Sequence, residues 1–213
     1  MAKEILEDLP ASPLSFVAGG SVAEFESQMP GYKQLLPQSD FVVIHDYNLV
    51  PQNKNAKRIA LIADKEDTAL KAKGRGDFLP ATTRYAIDYL SSKQSNGFFL
   101  MVEGAQIDGA GHSNDLESVV LETLDFDKAV AEALKFADAD GNTLVLVTAD
   151  HETGGMSITG GNMESSEIQA IFTTKGHTPV MVPLFAYGPG STQFKGVMEN
   201  TEIMKKILFL IHE

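Results

Sequence analysis

The chain has 213 residues, of which 43% are hydrophobic and 22% charged, and its formal net charge is −12. This length is enough for one sizeable hydrophobic core. The acidic balance argues against general DNA or RNA binding, because a negative protein surface repels the phosphate backbone. The chain has no cysteine, which excludes disulfides and thiolate zinc sites.

Membrane and export signals are not visible in the sequence. No stretch is long and apolar enough to span a bilayer. The first residues lack the apolar segment of a signal peptide, so any targeting segment is expected to lie outside this chain.

Apolar runs of strand length alternate along the chain with amphipathic helical patterns. The predicted strands are residues 14–18, 41–45, 58–63, 98–102, 143–148 and 181–187, and the predicted helices are residues 81–91, 115–137 and 202–211. The runs FFLMV and TLVLVT are continuously apolar, which is typical of strands buried on both faces. Gly-rich loops are predicted at residues 71–80 and 154–164. The alternation predicts an α/β fold with a mainly parallel sheet, in a single domain over residues 1–213.

Acidic and histidine residues follow the two most apolar strands. Glu103 comes directly after FFLMV, with Asp108 and His112 shortly behind it, and Asp150 and His151 follow TLVLVT. Ligands gather outside the carboxyl ends of strands in open α/β sheets, so these side chains are candidates for one shared site. Asp108 and His112 stand four residues apart, which places both on one face of a helix where they could hold one ion.

His177 belongs to the same set of candidates, in a Gly-His-Thr-Pro segment predicted to be a loop before the 181–187 strand. Taken singly, each of these residues also fits an ordinary structural role. An Asp after a strand is often a helix cap, and a His in a loop is often just part of the polar surface. Asp150 and His151 could share one ion or belong to two. The group as a whole favours a metal site.

Three segments of the sequence resemble the signatures of a known protein family. Residues 97–112 (GFFLMVEGAQIDGAGH), 142–155 (NTLVLVTADHETGG) and 176–189 (GHTPVMVPLFAYGP) resemble the signatures of the alkaline phosphatase family and occur in the same order. The resemblance implies a three-layer α/β domain of that type. It also implies that this chain is the C-terminal portion, incomplete at the N-terminal strands.

The family's metal centre holds two zinc ions and one magnesium ion, and its ligands carry over only onto matching residues. The resemblance assigns Asp108, His112 and His177 to the first zinc, Asp150 and His151 to the second zinc, and Glu103 to magnesium. It implies hydrolysis of phosphomonoesters through a serine nucleophile, with a phosphomonoester or inorganic phosphate as partner. A periplasmic or secreted parent protein and a possible homodimer are further expectations.

The sequence departs from the family pattern in ways that affect activity. No Asp-Ser-Ala motif is present, so the serine nucleophile is missing, and no match is found for the bridging aspartate, the magnesium-binding hydroxyl or the phosphate-clamping arginine. Gly109 and Thr153 stand where some family members have other residues. We therefore expect this chain alone to bind zinc weakly, to bind magnesium poorly and to be inactive.

Two alternatives remain open at this point. The chain could be a non-catalytic module that binds metal or phosphate. It could also be a sister metallo-hydrolase such as a phosphodiesterase, sulfatase or phosphomutase, although these do not usually share the Val-Glu-Gly segment.

Overall fold

The computed structural model describes residues 14–28, 30–65, 67–93 and 96–212. The chain divides into two compact units, residues 1–103 and residues 104–213, and each is described by itself. The single domain expected over residues 1–213 stays a prediction.

Unit 1 is built on a three-stranded parallel sheet. Its strands are β1 (Phe16–Gly19), β2 (Phe41–Ile44) and β3 (Arg58–Ile62), in the order β1-β3-β2. The central strand β3 is covered on both faces, which requires an apolar side chain at almost every position. Its sequence RIALI meets this requirement, since the four residues after the arginine are almost completely buried.

Helices cover both faces of this sheet. Helices α1 (Val22–Gln28) and α2 (Tyr32–Gln38) contribute to a cluster with Ala60 and Ile62 of β3. Helix α3 (Phe78–Lys93) contributes Tyr89 and Leu90 to a second cluster, with Ile59 and Leu61. Successive residues of a strand point to opposite faces, so β3 supplies both clusters in alternation. The α/β class predicted from the sequence is confirmed.

Unit 2 begins with two consecutive helices, α4 (Gln106–Ser113) and α5 (Leu116–Asp140). The carboxylate of Asp115 caps α5 by accepting a hydrogen bond from the Ser118 backbone N–H at 3.2 Å. Gly141, with φ of 72°, ends the helix in a left-handed conformation that glycine adopts easily. The helix predicted over residues 115–137 is thus present and extends to Asp140.

The described strands of unit 2 form two-stranded antiparallel sheets. Strand β4 (Val145–Thr148) pairs with β9 (Leu184–Tyr187), β5 (Glu152–Thr153) with β8 (His177–Thr178), and β6 (Ser157–Asn162) with β7 (Glu167–Ile171). Helix α6 (Asn200–His212) follows, in the place predicted for a closing helix. No helix in the described part of the chain combines the length and apolarity that crossing a membrane needs.

Several local predictions were wrong. Residues 98–102 form no strand, and Phe99 and Met101 are 63% and 77% exposed. A strand exists only through hydrogen bonds to a neighbour, and no strand in the described residues pairs with this segment. Phe98 and Leu100 pack against the second cluster of unit 1, so only alternate residues of this apolar run are covered.

The loop predicted at residues 154–164 contains strand β6, and His177 lies in strand β8 instead of a loop. Strand β4 is only half-buried and its partner is antiparallel, whereas burial on both faces had been predicted. Parallel pairing is confined, among the described strands, to β1, β2 and β3. Local sequence located β1, β2, β3, β4 and β9, but the direction in which strands pair depends on distant partners.

Leu36→Ala is expected to lower the free energy of unfolding of unit 1 by about 2–5 kcal/mol, because the substitution leaves a cavity in the first cluster. Leu35→Ala is the matched control in the same helix. Leu35 is 47% exposed, so we expect a loss of less than about 1 kcal/mol.

Urea unfolding followed by tyrosine fluorescence measures this difference. The chain has no tryptophan, and four of its five tyrosines, Tyr32, Tyr47, Tyr85 and Tyr89, lie in unit 1. Equal losses from the two substitutions would contradict the core described above.

Candidate metal centre

Helix α4 places Asp108 and His112 on the same face. Their separation of four residues is just over one helical turn, and Oδ2 of Asp108 lies 3.3 Å from Nε2 of His112. Both side chains are partly exposed to solvent. The juxtaposition anticipated from the spacing is therefore present in the fold.

The short pair of strands β5 and β8 brings His177 to the same place. In this ladder Glu152 lies opposite Thr178, and Thr153 lies opposite His177. The Glu152 carboxylate accepts hydrogen bonds from the Thr178 hydroxyl and from the backbone N–H groups of Gly155 and Met156. The Thr178 hydroxyl and these N–H groups hold the pKa of Glu152 below its ordinary value. These hydrogen bonds hold β8 in register with β5 and thereby fix the position of His177.

A carboxylate and three imidazoles converge in unit 2. One ligand atom each from Asp108, His151 and His177 lie within 4.8 Å of one another. Nε2 of His177 is 3.5 Å from Oδ1 of Asp108 and 3.2 Å from Nε2 of His112. The rings of His151 and His177 stack, with centroids 3.5 Å apart. We call Asp108, His112, His151 and His177 the Asp-His cluster.

Proton positions in the Asp-His cluster follow from the partners. Nδ1 of His112 lies 2.5 Å from the backbone oxygen of Lys175, which can only accept, so Nδ1 carries a proton. In the neutral ring Nε2 then has a free lone pair, and it faces the Asp108 carboxylate and Nε2 of His177. The lone pair of His112 and those of the Asp108 carboxylate therefore point at one another across 3.3 Å, an arrangement that a bound cation stabilises. Imidazole and carboxylate donors are the set that zinc prefers when thiolates are absent.

The Asp108 carboxylate is kept ionised by its surroundings. The Thr153 hydroxyl donates to Oδ1 of Asp108 at 2.5 Å, and this bond, with the three nearby histidines, lowers the pKa of Asp108. A metal ligand must be deprotonated, so this shift favours cation binding.

The remaining predicted site residues lie as follows. The Asp150 side chain is 85% exposed, with Oδ2 at 3.1 Å from Nε2 of His151. Glu103 is the exposed last residue of unit 1. The assignment of Asp108, His112 and His177 to one zinc, and of Asp150 and His151 to another, remains a prediction, as does magnesium binding at Glu103.

Sequence reasoning missed the supporting residues Glu152 and Thr178, and it treated Thr153 only as a variable position. One signal was available for Thr153. It stands two residues after His151, and this spacing places both side chains on one side of an extended strand.

A family profile for alkaline phosphatases matches residues 48–171, which is more than half of the chain. The chain belongs to the alkaline phosphatase family. The resemblance to this family that the sequence signatures indicated is thereby confirmed.

Individual relatives agree with this family membership. Alkaline phosphatase 3 of Bacillus subtilis (strain 168) is 29% identical in a match that covers 91% of this chain and 57% of the relative. Streptomycin-6-phosphate phosphatase of Streptomyces griseus is 38% identical over 59% of this chain and 33% of the relative.

The solved structure of alkaline phosphatase from the Antarctic bacterium TAB5 matches with a TM-score of 0.85 and 40% identity. The match covers 99% of this chain and 64% of that chain. A variant of the TAB5 phosphatase has been solved with Mg bound. This chain thus spans 57% of the length of alkaline phosphatase 3 of Bacillus subtilis and 64% of the TAB5 phosphatase chain.

Gly111→Ala is expected to lower the thermal midpoint of unit 2, although alanine normally stabilises a helix interior by about 0.5–1 kcal/mol over glycine. A Cβ atom at Gly111 would lie 3.1 Å from the Thr153 side chain and 3.1 Å from the Thr153 backbone oxygen, and the backbone cannot easily move away.

Gly109→Ala is the matched control in helix α4. Its Cβ would meet only the flexible end of Gln106, at 3.3 Å, so we expect a rise in the thermal midpoint. Thermal unfolding by circular dichroism distinguishes the two variants, and a rise for both would show that α4 and β5 are not tightly apposed.

Proposed function

We propose that this chain supplies the histidine-rich part of a two-zinc, one-magnesium centre that hydrolyses phosphomonoesters in a longer protein. The convergence of the ligand atoms of Asp108, His112, His151 and His177 is the observation that carries the proposal. Membership of the alkaline phosphatase family supports the reaction class.

In this proposal each residue has a separate task. Asp108, His112 and His177 hold the first zinc, Asp150 and His151 contribute to the second, and Glu103 binds magnesium. A bound zinc ion supplies a Lewis acid for the phosphoryl oxygens and lowers the pKa of a coordinated water. The hydrogen bond from Nδ1 of His112 to the Lys175 oxygen orients that imidazole, as is usual for metal-binding histidines.

The charge of the chain is consistent with a cation-dependent centre. A net charge of −12 repels an anionic phosphate ester at long range. The Asp-His cluster itself contains one carboxylate and three imidazoles and no Lys or Arg side chain. Two divalent cations there create the local positive charge that phosphate recognition needs.

The chain alone lacks an Asp-Ser-Ala nucleophile motif, so we propose that it is inactive by itself. This absence is also the observation that favours the second candidate function, a non-catalytic metal-binding module. For the longer protein we propose a periplasmic or secreted location and a homodimeric assembly, both from the family.

Zinc titration of the purified chain tests the metal centre. Asp108→Ala and His177→Ala are each expected to weaken zinc binding by more than about tenfold, since loss of even a residue that supports a ligand costs that much. His45→Ala is the control. His45 lies in unit 1 and contacts the backbone oxygen of Ile62, so its loss should leave zinc affinity unchanged.

Elemental analysis of the same samples gives the number of zinc ions per chain. Retention of wild-type zinc affinity by both Asp108→Ala and His177→Ala would contradict the assignment of the Asp-His cluster as a zinc site. A loss of affinity in the His45→Ala variant equal to theirs would show that the effect is not specific to the cluster.

Hydrolysis of p-nitrophenyl phosphate tests the chemistry separately. With zinc and magnesium added, the 213-residue chain should release p-nitrophenol no faster than buffer, because no serine nucleophile stands in a family-like motif. Metal-dependent hydrolysis that Asp108→Ala abolishes would disprove inactivity of the isolated chain and would favour the catalytic function over the non-catalytic module.

A further inference from the structure

Thr153 occupies the centre of the candidate site without being one of its predicted metal ligands. It lies on β5 two residues after His151 and opposite His177 in the β5–β8 ladder. Its hydroxyl oxygen is 2.5 Å from Oδ1 of Asp108 and 3.2 Å from Nδ1 of His151. One hydroxyl thus joins a ligand proposed for the first zinc to a ligand proposed for the second.

The Thr153 hydroxyl has a single proton, and this determines which of its two hydrogen bonds it donates and which it accepts. A carboxylate without a proton can only accept, so the Thr153 O–H donates to Asp108. The hydroxyl oxygen then accepts from Nδ1 of His151, which must carry the proton of the neutral ring. The free lone pair of His151 is therefore on Nε2, at 3.1 Å from Oδ2 of Asp150.

The methyl group of Thr153 has a different role. It packs at Gly111, where a Cβ atom would come within 3.1 Å of both Cβ and Cγ2 of Thr153. A β-branched side chain has few allowed χ1 rotamers, so this packing also fixes the direction of the hydroxyl. The contribution of the methyl group to packing and that of the hydroxyl to the site can therefore be separated by substitution.

We propose that Thr153 is a positioning residue that couples the two zinc subsites, by orienting the Asp108 carboxylate and selecting the His151 tautomer with Nε2 free. The inference rests on the proposed function, because it requires that Asp108 and His151 bind metal. Removal of the hydroxyl weakens metal binding by about 10- to 100-fold, the effect typical of residues that orient metal ligands.

Thr153→Val and Thr153→Ser in the full 213-residue chain test this inference. Valine keeps the branched shape against Gly111 and removes the hydroxyl, so zinc affinity falls by about 10- to 100-fold. Serine keeps the hydroxyl and loses the methyl, so zinc affinity stays within about threefold of the wild-type value while the thermal midpoint falls. A purely structural role would produce the reverse pattern.

Visible absorption of the Co²⁺-loaded chain supplies a second measurement. The Co²⁺ spectrum reports ligand geometry, so Thr153→Val should alter the spectrum and Thr153→Ser should preserve it. Thr159→Val, which removes a hydroxyl that contacts the Gln169 backbone oxygen in the β6–β7 hairpin, is the matched control and should leave zinc affinity and spectrum unchanged.

The possible results distinguish failure of the coupling role of Thr153 from failure of the proposed metal-binding function. Wild-type zinc affinity and an unchanged Co²⁺ spectrum for Thr153→Val would overturn the coupling role while leaving the metal centre intact. Absence of zinc binding in the wild-type chain, or full binding by Asp108→Ala, would overturn the proposed function and this inference with it. If Thr153→Val does not fold, the serine variant decides, since reduced zinc affinity in a folded Thr153→Ser chain also overturns the inference.

Discussion

The close approach of helix α4 to strand β5 is the constraint on which the Asp-His cluster depends. A side chain at Gly111 would meet Thr153, and one at Gly154, where φ is +92°, would lie 3.0 Å from the Gly111 backbone oxygen and closer still to the Phe172 ring. Only glycine at both positions lets the two backbones come this near. The helix carries Asp108 and His112, and the strand directly follows His151, so this single contact sets the distances among ligands from two distant parts of the sequence.

The sequence permitted prediction of those parts of the site that depend on local geometry. Asp108 and His112 share a helical face because they are four residues apart, and no distant contact is needed for that. The meeting of His177 with Asp108 depends on the β5–β8 ladder, which joins residues 24 or more positions apart. Spacing alone could not give that contact, and only the resemblance to a known family suggested it.

The difference between local sequence and distant pairing also explains which parts of the fold were predicted correctly and which were not. Strand β3 is recognisable because an unbroken apolar run matches a strand covered on both faces. Residues 98–102 have an equally apolar sequence but no pairing strand in the described part of the chain, so hydrophobicity without a hydrogen-bonding partner gave a wrong prediction. The supporting residues Glu152 and Thr178 were missed because their role depends on pairing across 26 positions.

The site also shows how a short ladder can hold a metal ligand in place. Strands β5 and β8 share only two residue pairs, and so small a ladder contributes little stability by itself. The Glu152 carboxylate adds bonds to the Thr178 hydroxyl and to two backbone N–H groups, and charged acceptors form stronger hydrogen bonds than neutral ones. Acceptor groups that face each other, such as Asp108 and Nε2 of His112, repel when no cation lies between them. Partial exposure to water reduces that repulsion, so the fold can hold the ligands near one another before a cation binds.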